Sequence, residues 1–262
     1  MMPSLFVSHG APDLVLHDLP ARRFLAEYGT SLPIPRAIVV ASAHYLGACA
    51  QVTTGEAPAT VHDFGGFPAA LYSMQFPAPG APALARRIQE ACAAARIDCV
   101  ADVRGGFDHG VWCPLSLLYP EARIPVVALG IAPRRDAAWH VALGRVLAPL
   151  REEGVLVLGS GALTHNLYEV APPAGHDEAP AWVDAFADWV GERLADGDEA
   201  ALVDWRAQGP HAADNHPSPE HLLPLFVALG AAGAAGAHWR GVAVHRSVTY
   251  RALRMDCFRF DA

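Results

Sequence analysis

Three of the chain's thirteen histidines stand at the ends of apolar runs. Leu5-Phe6-Val7-Ser8 leads into His9, the run from Ala37 to Ala43 into His44, and the stretch from Val155 to Thr164 into His165. Such runs read as strands buried on both faces, and α/β proteins place their chemistry where those strands end. Imidazoles delivered to one sheet edge are the raw material of a metal site. Taken singly, each is an ordinary hydrogen-bonded histidine; the joint pattern favours a site.

The densest cluster is His216-Pro217-Ser218-Pro219-Glu220-His221-Leu222-Leu223-Pro224-Leu225. A helix starting at Pro219 puts Glu220 and His221 in its first turn, pointing in different directions, so only one of them faces a metal. Either completes a triad with His9 and His44. Two histidines and a carboxylate form the facial arrangement of non-haem iron, whereas three histidines suit zinc at least as well. His165 sits in Gly159-Ser160-Gly161-Ala162-Leu163-Thr164-His165, whose glycines allow a tight turn and close approach of a ligand. The segment is neither a dinucleotide fingerprint nor a nucleophile elbow, so Ser160 is a poor nucleophile. His165 is open to three roles: ligand, general base or turn residue.

His109 lies between Phe107 and Trp112 in a polar, glycine-rich stretch, 104–112, that reads as a loop. His62-Asp63-Phe64-Gly65-Gly66-Phe67-Pro68 is of the same kind, and the aromatics of both could line an apolar pocket for a flat substrate. His17, His140, His176, His211, His238 and His245 lack such context and read as surface or structural residues.

These residues need a scaffold. Predicted strands are Leu5–Ser8, Ala37–Ser42, Ala50–Thr53, Asp98–Asp102, Pro125–Gly130, Val155–Leu158, Val242–His245 and Met255–Phe260. Helical periodicity covers Pro82–Arg96, a segment from the N-cap Asp136 to Glu153, Pro180–Leu194, and a helix from Pro219. The uncharged stretch Leu222–Ala237 holds a proline and three glycines and is too short to span a bilayer; it reads as a buried helix followed by a small-residue turn. Strands alternating with helices at irregular spacing predict an α/β fold, one layered domain (residues 1–262) with a central mixed sheet flanked by helices. Segments 171–180 and 208–217 read as surface loops.

Composition narrows the function. With 52% apolar residues, 18% charged residues and a net charge of −8, the chain is globular. No basic cluster tracks phosphates, which argues against a nucleic-acid partner. Five scattered cysteines without a CxxC pair argue against a disulfide framework and for a reducing compartment. His9, Pro12 and Asp13 interrupt any signal-peptide pattern, so a cytoplasmic protein without membrane association is expected. Homo-oligomerisation is left open.

Six segments in order carry a resemblance. They are Ser8-His9-Gly10-Ala11-Pro12, Ala41-Ser42-Ala43-His44-Tyr45, His62 to Pro68, Gly106 to Trp112, Thr164-His165-Asn166-Leu167, and Pro219 to Leu225. Together they resemble the DOPA 4,5-extradiol dioxygenase family, within the class III extradiol ring-cleaving dioxygenases. The resemblance implies a non-haem Fe(II) in a cleft, with Zn(II) as the alternative for an all-histidine site. It implies His9, His44 and His221 as metal ligands, Glu220 as a substitute for the third, and His165 and His109 as catalytic residues. His165 would carry the proton transfers and His109 would hydrogen-bond charge developing on substrate or dioxygen. The implied partners are a small-molecule catechol and O2, with His62, Phe67, Phe107 and Trp112 as substrate-binding candidates. Arg104, Arg134 and Arg135 could meet a substrate carboxylate, against the plainer reading of surface charge. Two rivals remain: a zinc hydrolase on the same histidines, and a non-enzymatic binding protein of the same fold.

Overall fold

The computed structural model describes residues 1–171, 178–233 and 238–261. Among the described residues ten strands form: β1 (Ser4–Ser8), β2 (Ala37–Leu46), β3 (Ala50–Thr53), β4 (Cys99–Asp102), β5 (Val126–Ile131), β6 (Val155–Gly161), β7 (Arg240–His245), β8 (Val248–Thr249), β9 (Leu253–Arg254) and β10 (Cys257–Asp261). Eight of them build one sheet in the order β4-β3-β5-β2-β6-β1-β10-β7; β8 and β9 pair apart from it. β5, β2, β6 and β1 are parallel neighbours, while β3 and β10 join them antiparallel. The fold is the expected mixed α/β architecture.

Side-chain alternation explains why the central strands are apolar throughout. In β2, Ile38 and Val40 enter one core and Val39 and Ala41 the other. Phe6 in β1 points opposite to Leu5 and Val7, and Val157 in β6 opposite to Leu156 and Leu158. Helices cover both faces, so neither set of side chains meets water. The helices Pro82–Ala94, Ala137–Glu152, Ala181–Asp196 and Leu223–Ala231 contribute to one core; His109–Leu118 and Pro20–Ser31 contribute to the other. Asp136 caps its helix as expected, accepting from the Trp139 N–H at 2.8 Å.

Three expectations need correction. β2 continues to Leu46, so His44 stands within the strand instead of beyond its end. The helix expected from Pro219 begins at Leu223, because the Pro219 carbonyl closes a turn on Leu222 and Leu223 and Pro224 takes the first helical turn. The stretch 104–112 is not all loop, since His109 opens a ten-residue helix. That helix is buried nearly all round, which erases an amphipathic period, and Pro114 inside it argues against a helix from sequence. Most of the expected loop 171–180, with His176, lies outside the described residues, as does the end of the small-residue turn at 234–237. Among the described residues no helix is long and apolar enough to cross a membrane, and all five cysteines are free.

Candidate active site

Because β1, β2 and β6 are parallel neighbours, their carboxyl ends share one edge. His9 follows β1, and His44 lies near the end of β2. The third imidazole comes from the turn before the helix Leu223–Ala231, laid directly on β6. There the Ala162 N–H donates to the His221 carbonyl at 2.9 Å. A Cβ on Gly161 would overlap that same carbonyl oxygen, and one on Gly159 would overlap the carbonyl of Pro224. These glycines therefore admit the backbone that carries His221; the expected close approach of a ligand is not their purpose.

The Nε2 atoms of His9 and His44 are 3.0 Å apart, and those of His44 and His221 are 3.3 Å apart. Each Nδ1 faces an acceptor. His9 Nδ1 donates to Ser160 Oγ at 3.0 Å, and His221 Nδ1 donates to Glu220 Oε1 at 3.2 Å. His44 Nδ1 lies 3.6 Å from Asp63 Oδ2. With protons on Nδ1, the three Nε2 lone pairs converge and cannot hydrogen-bond to one another. Ligands about 2.0–2.1 Å from one metal stand about 2.9–3.4 Å apart at ordinary coordination angles, and the observed spacing matches. Acceptors behind the ligating imidazoles, which fix tautomer and ring orientation, are the usual support of such a centre. The donor set therefore fits a divalent metal.

Ser160 is free to accept from His9 because its own hydroxyl donates to the Gly110 carbonyl. That carbonyl lies four residues before Pro114, which has no N–H to give it. The proline that obscures the helix in the sequence thus leaves an acceptor for the chain Ser160–His9.

Burial pushes His9 and His221 well below the ordinary imidazole range, and neighbouring imidazoles add to the effect. Burial likewise takes His44 down to about 3 and His165 down to about 4. All four are neutral at pH 7, so no proton has to leave before a metal binds.

His165 stacks face to face on His221, with ring centroids 3.4 Å apart and planes 8° from parallel. A strap of residues 214–216 holds its turn. The His165 N–H donates to the Asn215 carbonyl (2.9 Å), Asn166 Nδ2 to the Asp214 carbonyl (2.7 Å), and His216 Nε2 to the Leu163 carbonyl (2.9 Å). His216 is fully buried and belongs to this support, away from the three converging nitrogens. His109 rests against His44 at 3.8 Å between ring centroids. Both its backbone N–H (2.9 Å) and its Nδ1 (3.0 Å) donate to Asp63. Burial raises the Asp63 carboxyl, but the hydrogen bonds from His109 outweigh that and hold it at about 2.

The histidines floor a cavity of about 260 Å³. Phe67 lines it as expected, together with Phe64. The other aromatic expectations need correction. Phe107 is fully buried in the core, with its backbone bridged to Ala59 and Val61. Trp112 is buried too, and its Nε1 donates to the Val61 carbonyl at 3.1 Å. His62 donates to the Met74 carbonyl and packs beside Tyr72 and Trp112, behind Phe64. These three brace the loop 61–68 and do not line the cavity. Asp63 and Ser160 were not among the sequence candidates. Asp63 lies inside a quoted segment, and its one signal is a carboxylate beside a histidine in a glycine-rich loop.

Comparison with known proteins accords with this arrangement. The family described as "Catalytic LigB subunit of aromatic ring-opening dioxygenase" matches residues 20–253. A 4,5-DOPA dioxygenase extradiol of Beta vulgaris is 41% identical over 234 residues, covering 88% of this chain and 87% of that protein. One from Escherichia coli K12 is 42% identical over 233 residues, covering 88% and 85%. The crystal structure of an uncharacterised Escherichia coli K12 protein matches with a TM-score of 0.80 and 34% identity, covering 99% of both chains. The chain is therefore an enzyme of the LigB family of aromatic ring-opening dioxygenases and belongs with the 4,5-DOPA extradiol dioxygenases.

Proposed function

We propose that this dioxygenase cleaves the ring of a catechol at a non-haem Fe(II) held by His9, His44 and His221. The observation that carries the reading is the convergence of three neutral imidazoles at Nε2, those of His9 and His221 hydrogen-bonded behind to an acceptor, in the floor of a cavity lined by aromatic and apolar side chains. When bound, the metal supplies Lewis acidity toward the diol and the redox chemistry that dioxygen requires.

The chain's own residues do the rest. His165, neutral and held by the 214–216 strap, takes the proton of a catechol hydroxyl and later returns one to the opening ring. His109 has its Nδ1 proton committed to Asp63, which leaves the Nε2 lone pair to accept a hydrogen bond from a catechol hydroxyl, the reverse of the donor role expected toward developing charge. Phe64 and Phe67, 5.5 Å apart and edge to face, flank a flat ring and keep water from it. Glu220 orients His221 through Nδ1, which supports it as a partner of the third ligand in preference to a substitute for it.

The test is anaerobic reconstitution with Fe(II), then a catechol, then oxygen. Uptake of about one O2 per catechol with a new visible absorbance is expected. Metal-loaded protein that consumes no oxygen across a catechol panel refutes the reading; hydrolysis without oxygen would support the zinc hydrolase instead.

A further inference from the structure

Of His9, His44 and His221, His44 alone stands within a strand, and the strand is deformed where it carries the residue. In the β2–β5 ladder Ser42 pairs with Gly130, and the next pair is Leu46 with Ile131. The β2–β6 ladder also ends at Ser42, opposite Ser160. Ala43, His44 and Tyr45 therefore bulge out of both ladders. The Tyr45 carbonyl leans over Gly130, where a Cβ would lie 3.1 Å from it. Bulges beside active sites re-aim a side chain. A bulge also gives up its ladder hydrogen bonds, so other groups have to hold it.

Ser42 is one of them. Its Oγ accepts the His44 N–H at 3.2 Å, and its hydroxyl donates to Asp108 Oδ1 at 2.6 Å. Both side chains are buried. Asp108 occupies the N-cap of the helix His109–Leu118, yet its side chain makes no capping bond. Asp136 and Asp198, at the same position of their helices, do cap, accepting from the N–H groups of Trp139 and Ala201. Asp108 is turned to Ser42 instead, its one side-chain partner among the described residues. Gly110 makes room for the pair. A Cβ there would strike Ser42 Oγ and lie 3.0 Å from Asp108 Oδ1 and 3.2 Å from His44 Cδ2. At the far end of the bulge the Tyr45 hydroxyl donates to Asp102 Oδ2 at 2.8 Å.

We propose that Ser42 and Asp108 are positioning residues acting as one unit: Asp108 orients the Ser42 hydroxyl, and Ser42 fixes the bulge so that His44 Nε2 meets those of His9 and His221. The inference rests on His44 being a metal ligand. A buried carboxylate is unfavourable unless it is hydrogen-bonded, and the bond that satisfies this one reaches the backbone of a ligand. Asp108 also begins the helix that carries His109. The same pair therefore keeps His44 in register with His109, whose ring centroid lies 3.8 Å from its own.

The experiment titrates metal-free protein with Co(II), whose visible spectrum reports ligand geometry, and records melting temperatures alongside. Ser42→Ala and the double variant Ser42→Ala/Asp108→Asn are expected to bind about 10–100-fold more weakly than the parent, with an altered spectrum. Asp108→Asn keeps an oxygen for the hydroxyl and should stay within about threefold of the parent. Ser4→Ala removes a buried hydroxyl from the Ala228 carbonyl at the other end of β1, and should change neither affinity nor spectrum. Parent affinity and spectrum in the Ser42 variants overturn the proposal, however far their melting temperatures fall. A loss in Asp108→Asn as large as in Ser42→Ala overturns it too, because the effect then belongs to the charge. The double variant carries no unpaired carboxylate and decides the question if Ser42→Ala does not fold. A parent that binds no Co(II) removes the metal centre itself, and the proposal with it.

Discussion

Asp63→Asn isolates how much of the site depends on an anion that never touches the metal. In the structure the carboxylate accepts the His109 N–H at 2.9 Å and its Nδ1–H at 3.0 Å, and lies 3.6 Å from His44 Nδ1. The last distance is too long for a hydrogen bond, so the loss falls on His109 first. An amide of the same shape keeps one acceptor oxygen but replaces the other with a donor facing a donor. A hydrogen bond to a charged partner contributes about 1.5–3 kcal/mol. If that energy is what favours the His109 tautomer with Nε2 free, its loss lowers kcat/KM by about ten- to a hundredfold. The affinity for metal should change by less than about tenfold, because His9 and His221 keep their own acceptors. Oxygen-uptake kinetics give the first quantity and chelator competition the second. An Asp63→Asn enzyme with kcat/KM within about twofold of the parent would refute the reasoning, provided its melting temperature is unchanged. A metal affinity that collapses while kcat holds would refute the assignment of Asp63 to His109.

Other substitutions probe the remaining supports. His44→Ala should abolish metal binding, whereas His165→Gln should retain metal and lower kcat by roughly 10²–10⁴; equal metal loss by elemental analysis would reject that division. Gly161→Ala drives a methyl into the His221 carbonyl, so it should cost about 1–3 kcal/mol in urea unfolding and weaken metal binding with it. Ser160→Ala removes the acceptor of His9 and strands the Gly110 carbonyl, and should weaken metal binding by about 10–100-fold; unchanged affinity would exclude the Ser160 chain as a support. His140 donates from Nδ1 to the Asp136 carbonyl and accepts the Ala132 N–H at Nε2, an arrangement that requires the neutral ring. Burial lowers its pKa from 6.5 to about 4. Its contribution is therefore complete above pH 6.5 and is lost as the pH falls toward about 4, by up to about 3 kcal/mol. Urea midpoints across that range should drop less in His140→Gln, and parallel curves would refute it.

The central strands, the long helices at 82 and 137, and the edge bearing His9 and His44 were legible in the sequence. Local signals suffice for these, because continuous apolar runs, periodicity and caps act over a few residues. The ordered histidine segments likewise carried the family resemblance. Only the tertiary structure decided the rest. Which histidine of the 216–225 cluster meets His9 and His44 depends on how its turn lies on β6, through Gly159 and Gly161. Whether an aromatic lines the cavity or the core depends on packing, and Phe107 and Trp112 went to the core where Phe64 and Phe67 did not. The work of Asp63 and Ser160 depends on contacts 46 and 151 residues distant in sequence. Type and spacing tell which residues can do chemistry, because those are local properties. The side on which each one faces is set by long-range packing, and no local pattern encodes it.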